Sequence, residues 1–547
     1  MKAADIVLVN GIVSTRDDAR SVVQAVAVRD GVVALVGDSA QVRELIGPRT
    51  QTIDLRGRLV LPGFVDAHAH ACMAADDLFK AVVYELPSVR DCVAGVARFA
   101  AAHPELPVIR GCGWSNTMAP GRGPRKEDLD AVESARPVVL ESSDYHSVWV
   151  NSRALELAGI HVGTPDSPGG VIERMEGTGE PAGTLREGAV ELVTRLLPEY
   201  TVEQYAEGIR HYQRDVAAPF GVTAVFDPMV TPGGAAVQAY ERLAADGSLG
   251  MWVRAAMEMK PEDDVEQWLR VAVAERDAHR TAPFRISAAK FFADGVVEGH
   301  TAYLLDDYAD RPGDRGAPLW GDAALARAFA AVDAAGFQIH VHAIGDAATA
   351  QTLDALAAVR AENGERDRRP GITHLQLVAP ADRLRLAQLN VVAVTDPYWF
   401  VMEDYYFQLE RPFLGPRADG QYPMRSFLEA GVTVAAASDY PVTIPPAPLV
   451  AIQRGVARRQ FGGEAGSHAV LGPDERVTVD QMIDACTRGG AFALGLDGVI
   501  GSIEAGKSAD LVVLDRDIRH ARPAAIGEAT VALTLCRGRV VHAASGD

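Results

Sequence analysis

The 547-residue chain is too long for one compact core, and its composition, 48% hydrophobic and 23% charged, is that of a globular protein with two or more domains. Its formal net charge of −20 argues against nucleic acid or an anionic membrane surface as a partner. The five cysteines are odd in number, widely spaced and without a CxxC, which argues against a disulfide framework or a thiolate zinc knuckle and points to a reducing, cytoplasmic compartment.

The first residues show no signal peptide, and no apolar run nears the roughly 18 residues of a membrane span. Residues 5–9, 22–28 and 32–36 are short Val-rich runs separated by Asn-Gly, Asp-Gly and Gly-Asp turns, which predict strands. From residue 64 the pattern changes. Apolar runs at 64–69, 222–226, 252–257, 286–292, 338–342, 372–375, 391–395 and 433–437 alternate with Ala-rich stretches of helical character at 203–217, 263–279, 322–335, 347–363 and 380–388. Eight such units predict a TIM barrel. The gap after the first strand is too long for one helix. It holds strand-like pieces at 107–111 and 137–141 and a Gly/Pro-rich stretch near 163–184, so it predicts an insertion. The aromatic-, Pro- and Gly-rich segment 404–423 follows the seventh strand and is expected to be a loop over the site. Runs at 510–514 and 530–541 again predict strands. The expected fold is α/β: a (β/α)8 barrel over 61–495 with an insertion at about 72–200, and a small β-sandwich formed by both chain ends, 1–60 and 496–547.

The strongest local motif is Asp66-Ala-His68-Ala-His70, at the end of the first barrel run. On a strand, residues i and i+2 share a side, so the two imidazoles would form half of a zinc-type site. Lys290, His342, His374 and Asp439 lie near the ends of the fourth, fifth, sixth and eighth candidate strands. Barrel active sites are built at those C-terminal ends. His340 shares a strand face with His342, so on phase alone either could be the ligand. A Ser-Asp turn such as Ser438-Asp439 can also cap a helix.

In this order of residues the chain resembles the amidohydrolase superfamily. It resembles more closely the YtcJ-like branch, which includes N-substituted formamide deformylases. The resemblance is carried by DYHSVWVNSRAL (144–155), GEPAGTLRE (179–187), VHAIGD (341–346), SDYPV (438–442) and GSIEAGKSADLVVLDRD (501–517). It implies metal ligation by His68, His70, Lys290, His342, His374 and Asp439, and it favours His342 over His340. An ammonium cannot ligate a cation. The resemblance implies that Lys290 reacts with CO2 to give a carbamate bridging two divalent ions, zinc by expectation, although manganese, iron, cobalt or nickel also suit such ligands. Asp439 is expected to accept the proton of the attacking water. His146 is expected at the substrate or its oxyanion. Asp294, Gly295, His300 and Thr301 follow Lys290. Related chains often carry GSRTA there, where this one has EGHTA, so His300 departs from the pattern. Trp114, His300 and Trp399 are candidate substrate contacts, with Tyr405, Tyr406 and Phe407 as further aromatics for an apolar pocket.

The implied activity is cleavage of a carbon–nitrogen bond in a small molecule, an N-substituted formamide or a small N-acyl amine. Two alternatives stand beside it. A mononuclear ring deaminase usually has Glu shortly after the strand-five His, where this chain has Gly345-Asp346. An inactive binding protein on the same fold usually lacks several ligands, and here all six are present. The sequence leaves a homo-oligomer open.

Overall fold

The computed structural model describes residues 2–84, 86–167, 169–278, 282–461 and 469–544. The eight barrel strands form in the expected order: β1 (Phe64–Asp66), β2 (Val222–Val230), β3 (Trp252–Glu258), β4 (Phe284–Phe292), β5 (Gln338–Ala343), β6 (Gly371–His374), β7 (Val392–Thr395) and β8 (Thr433–Ala436). Each is parallel to the next. The ring closes between β8 and β1 through the segments that follow them. The N–H of Ala67 donates to Ala436 O at 3.1 Å, and that of Asp439 to His68 O at 2.8 Å.

Side chains alternate across these strands with period two. Phe226, Ala256, Ala288, Val394 and Ala435 fill the barrel. Val225, Ala255, Phe291, Val341 and Ile372 face the surrounding helices. Both faces are buried, which is why the strands read as continuous apolar runs. The expected helices span Val202–His211, extended by a π-turn to Ala217, then Val265–Ala278, Asp322–Ala334, Asp346–Asn363 and Pro380–Gln388. Residue 279 lies outside the described residues. The first of these helices starts at a capping box. Thr201 accepts from the N–H of Gln204, and the Gln204 side chain accepts in return from Thr201.

Both chain ends meet in one six-stranded sheet, ordered Arg539–Ala543, Val531–Cys536, Leu511–Leu514, Leu59–Pro62, Ile12–Ser14 and Val22–Val23. A four-stranded sheet of Val32–Gly37, Ala25–Arg29, Ile6–Val9 and Gln51–Asp54 lies with it, sharing the apolar cluster of Leu8, Val26, Val60 and Leu511. Between β1 and β2 the chain builds a six-stranded sheet of its own, from Ala81–Val82 to Pro181–Glu187. The Gly/Pro-rich stretch near 163–184 contributes two of its strands, Gly170–Arg174 and Pro181–Glu187, although residue 168 lies outside the described residues. The segment 404–423 is not an open loop. It winds into short helical turns, Tyr406–Glu410, Arg411–Leu414 and Gly415–Gly420. Buried polar groups hold it down: Gln376 on the β6 loop donates to Glu410 at 2.7 Å, and the Arg458 guanidinium donates to the carbonyls of Gln421 (2.8 Å) and Tyr422 (3.0 Å). No described helix is long and apolar enough to cross a membrane. All five cysteines are buried and unpaired.

Candidate metal centre

The run expected as a strand over 64–69 leaves its ladder at Asp66, so both histidines of the HxH motif ride an extended segment beyond the strand. Neighbouring backbone holds that segment. The N–H of Ala69 donates to Phe226 O at 2.9 Å and that of His70 to Tyr440 O at 2.8 Å. Asp66 is buried and accepts from the Ser438 hydroxyl at 2.6 Å and the Ser438 N–H at 3.0 Å, which ties β1 to the residues after β8. Asp439 has φ +54°, a left-handed turn directly after Ser438. The following helix begins only at Pro448, so Asp439 does not cap it.

This geometry brings three candidate ligands together. Asp439 Oδ1 lies 3.4 Å from His68 Nε2 and 3.4 Å from His70 Nε2. One ligand atom from each residue falls within 4.8 Å of the others. The edge of a tetrahedron with bonds of about 2.1 Å is roughly 3.4 Å, so the donor set and its spacing fit a divalent ion. Burial raises the Asp439 pKa. The hydrogen bond from His70 and the nearby His374 and Lys290 overcome that and hold the carboxyl below its usual range. Burial, with Lys290 next, pushes His68 well below an ordinary histidine, toward the neutral imidazole that a metal requires.

Lys290 follows Ala288 in the inward phase of β4 and is 1% exposed. Burial lowers its pKa to about 8, against the pull of Asp439, Glu258 and Asp396. On β5 both His340 and His342 point inward. His342 Nε2 is 3.1 Å from Gly295 O. A carbonyl only accepts, so Nε2 carries the proton and Nδ1 keeps the lone pair. Asp294 holds the loop bearing Gly295 in place by accepting the N–H groups of Tyr303, Ile344 and Gly345 at 2.8, 3.0 and 2.8 Å.

His374 is placed differently. Strict alternation would turn it outward with Ile372. Left-handed backbone at His374 (φ +75°) and Leu375 (φ +50°) re-aims it, and its ring centre comes within 4.7 Å of His342 and 5.5 Å of His68. Such a conformation costs about 1–3 kcal/mol and clusters at functional sites. Its Nδ1 is 2.9 Å from Asp396 Oδ2, which leaves Nε2 free. Asp396 is fully buried and its Oδ1 has no protein donor. Burial pushes its carboxyl up to about 6, with His374 opposing. Carboxylates behind ligating histidines fix ring orientation and raise basicity. Asp396→Asn is expected to weaken metal binding about 10–100-fold, measured by chelator competition. Unchanged affinity would remove Asp396 from this role.

The insertion contributes His146, in the turn between strands Val138–Ser142 and Ser147–Val150. Its ring centre is 5.7 Å from that of His342. His146 Nδ1 is 2.9 Å from Glu187 Oε2, and Glu187 is held by Thr301 Oγ1 at 2.8 Å. Burial would lower the His146 pKa, but Glu187 outweighs it and raises the pKa to about 10. The imidazolium is therefore charged at neutral pH. Its contribution to stability is complete below the ordinary value near 6.5 and is lost as pH rises through about 10. In metal-free protein, NMR of the His146 ring is expected to show this high midpoint, and Glu187→Gln should lower it sharply. A wild-type midpoint near 6.5 would refute the pairing.

The structure separates the expected substrate contacts. Trp399 stacks on His374 at 5.4 Å and donates to Thr443 Oγ1 at 3.1 Å, so it walls the site. Trp114 packs instead inside the insertion, 1% exposed, with its indole N–H on Leu140 O at 3.0 Å. His300 bonds Asp310 at 2.9 Å and lies against Phe413 and Tyr308 on the loop leaving β4. The Tyr405 hydroxyl hydrogen-bonds Glu298, Tyr406 bonds Asp419, and Phe407 is 52% exposed. Sequence reasoning missed Asp396 and Glu187. Asp396 is the first acidic residue after the β7 run, as Asp439 is after the β8 run. Glu187 ends the GEPAGTLRE stretch.

A profile described as the amidohydrolase family matches residues 51–542. The chain is 30% identical over 519 residues to the Arabidopsis thaliana protein LONG AFTER FAR-RED 3, covering 93% of this chain and 87% of that one. It is 29% identical to the protein YtcJ of Bacillus subtilis (95% and 96% covered). It is 29% identical to an N-substituted formamide deformylase of Arthrobacter pascens (94% and 94% covered). Among solved structures, an uncharacterized metal-dependent hydrolase from Pyrococcus furiosus superposes with a TM-score of 0.72 at 25% identity, covering 95% of this chain and 99% of that one.

Proposed function

The chain belongs to the amidohydrolase family, and from that premise we propose that it hydrolyses a carboxamide carbon–nitrogen bond, in an N-substituted formamide or a small N-acyl amine. The observation that carries this reading is the convergence of His68, His70 and Asp439 at ligand spacing, with Lys290, His342 and His374 around them. His68, His70 and Asp439 would hold one divalent ion, and His342 and His374 a second, with zinc the natural match to nitrogen and oxygen donors at this spacing. When bound, such an ion lowers the pKa of water and polarises a carbonyl.

The residues supply the rest. A buried amine with a pKa of about 8 is roughly one-tenth neutral at pH 7, and the neutral amine attacks CO2, releasing a proton and leaving a carbamate on Lys290. That converts a cation beside His68, His340 and His342 into an anion suited to bridging. Asp439, ionised below its usual range, takes the proton of the attacking water and returns it to the departing amine. His146, charged and pinned by Glu187, donates to the oxygen that becomes negative as the carbonyl carbon turns tetrahedral. Trp399 bounds the substrate on the His374 side. Against a deaminase reading, the Asp346 side chain is engaged at the start of its helix, where it accepts the Leu305 N–H at 2.8 Å.

The test is metal content per chain by plasma mass spectrometry, with an amide screen that starts from formamides and reads amine release. About two ions and amine release support the proposal. One ion, an unmodified Lys290 amine and ammonia release from a ring amidine would replace it with deamination.

A further inference from the structure

His340 is 2% exposed and is not needed as a ligand if His342 fills that place. Its Nε2 lies 2.7 Å from His68 Nδ1. The Phe226 ring stacks on it at 4.5 Å, and a side chain at Gly371 would put its Cβ 2.9 Å from His340 Nδ1. Small and aromatic neighbours thus build a seat that holds this imidazole edge-on to His68.

Between two neutral imidazoles one nitrogen must donate and the other accept. His68 Nε2 is the edge that faces Asp439 and would face the ion. A metal-held neutral imidazole keeps its proton on the other nitrogen, so His68 Nδ1–H must donate and His340 Nε2 must carry a lone pair. His374 and His342 are backed by a carboxylate and a carbonyl, whereas His68 is backed by a third kind of acceptor, a neutral imidazole.

We propose that His340 is a positioning residue for the ion held by His68, His70 and Asp439, accepting the His68 Nδ1–H and residing in the loaded protein as the Nδ1–H tautomer. This rests on the metal-site reading above. It assigns His340 an effect on one ion and none on the ion held by His342 and His374.

The experiment uses full-length protein loaded with Zn2+: wild type, His340→Leu and His340→Gln, compared by chelator competition, circular dichroism and nitrogen-15 histidine NMR. His340→Leu is expected to lose about 10–100-fold in affinity for one equivalent only. His340→Gln, which keeps an acceptor oxygen, should recover most of it. The NMR should show the Nδ1–H tautomer for the resonance that both variants remove. If His340→Leu does not fold, the glutamine variant and the wild-type tautomer decide. Wild-type protein that binds no Zn2+ overturns the metal site and this inference together. Normal Zn2+ affinity in His340→Leu, or an Nε2–H tautomer in loaded wild type, overturns this inference alone.

Discussion

Replacing Asp439 with Asn is expected to leave a protein that binds metal but turns over about 10²–10⁴-fold more slowly. The amide keeps the shape of the carboxylate and one oxygen to meet His68 and His70, each 3.4 Å from Asp439 Oδ1 in the native chain. It has no basicity. In the metal-free protein the native carboxyl sits below its usual range, against the raising effect of burial, because His70 donates to it and His374 and Lys290 lie near. Asn removes the proton acceptor without removing the cage. Paired measurements of metal content and of kcat on a hydrolysed amide check this. Metal content near two with near-normal kcat would place the base elsewhere.

Lys290→Ala has the second large effect. One equivalent of metal should be lost, and with it several kcal/mol of transition-state stabilisation, at least about 100-fold in rate. Removing this side chain leaves a space of carboxylate size among the histidines, since Lys290 is buried to 1% exposure. Formate, acetate or propionate should enter it and restore both the second metal and part of the activity. A fold defect is not expected. Burial has already lowered the pKa of this amine to about 8, so its charged form costs energy to keep inside, which its removal recovers. Full activity in the alanine variant, or a lost metal that no short acid restores, would reject the bridging role.

Most of the barrel was legible because its strands are buried on both faces and separated by amphipathic helices. Six candidate ligands could be named because each sits near or just past the end of such a run, and the structure brings His68, His70 and Asp439 to ligand spacing. What sequence could not supply was direction at the strand ends. His374 reaches the site only through left-handed backbone, which alternation does not foresee, and the HxH pair lies beyond its strand. Contacts between residues far apart in the chain were also invisible. His340 meets His68 across 272 positions, and Asp396 meets His374 from the next strand. Trp114 looked like a pocket aromatic because nothing in its local sequence shows that the insertion has a core of its own. The segment 404–423 has loop composition, yet buried Glu410 and Arg458 pin it in helical turns.

The shared terminal sheet imposes an order on the birth of the protein. Leu59–Pro62, immediately before β1, pairs antiparallel with Leu511–Leu514, and the Gly63 N–H is met by Asp510 O at 2.8 Å. On the ribosome Ile12–Ser14 can pair one edge of 59–62 at once, while the other edge waits through the making of the whole barrel until residue 511 emerges. The pairing with Leu511–Leu514 fixes the chain just before β1, and Phe226, Ser438 and Tyr440 hold the segment that carries His68 and His70. At the proposed metal site, ion capture would come late in synthesis, because Asp439 and the Tyr440 carbonyl that holds His70 are made only after all eight barrel strands.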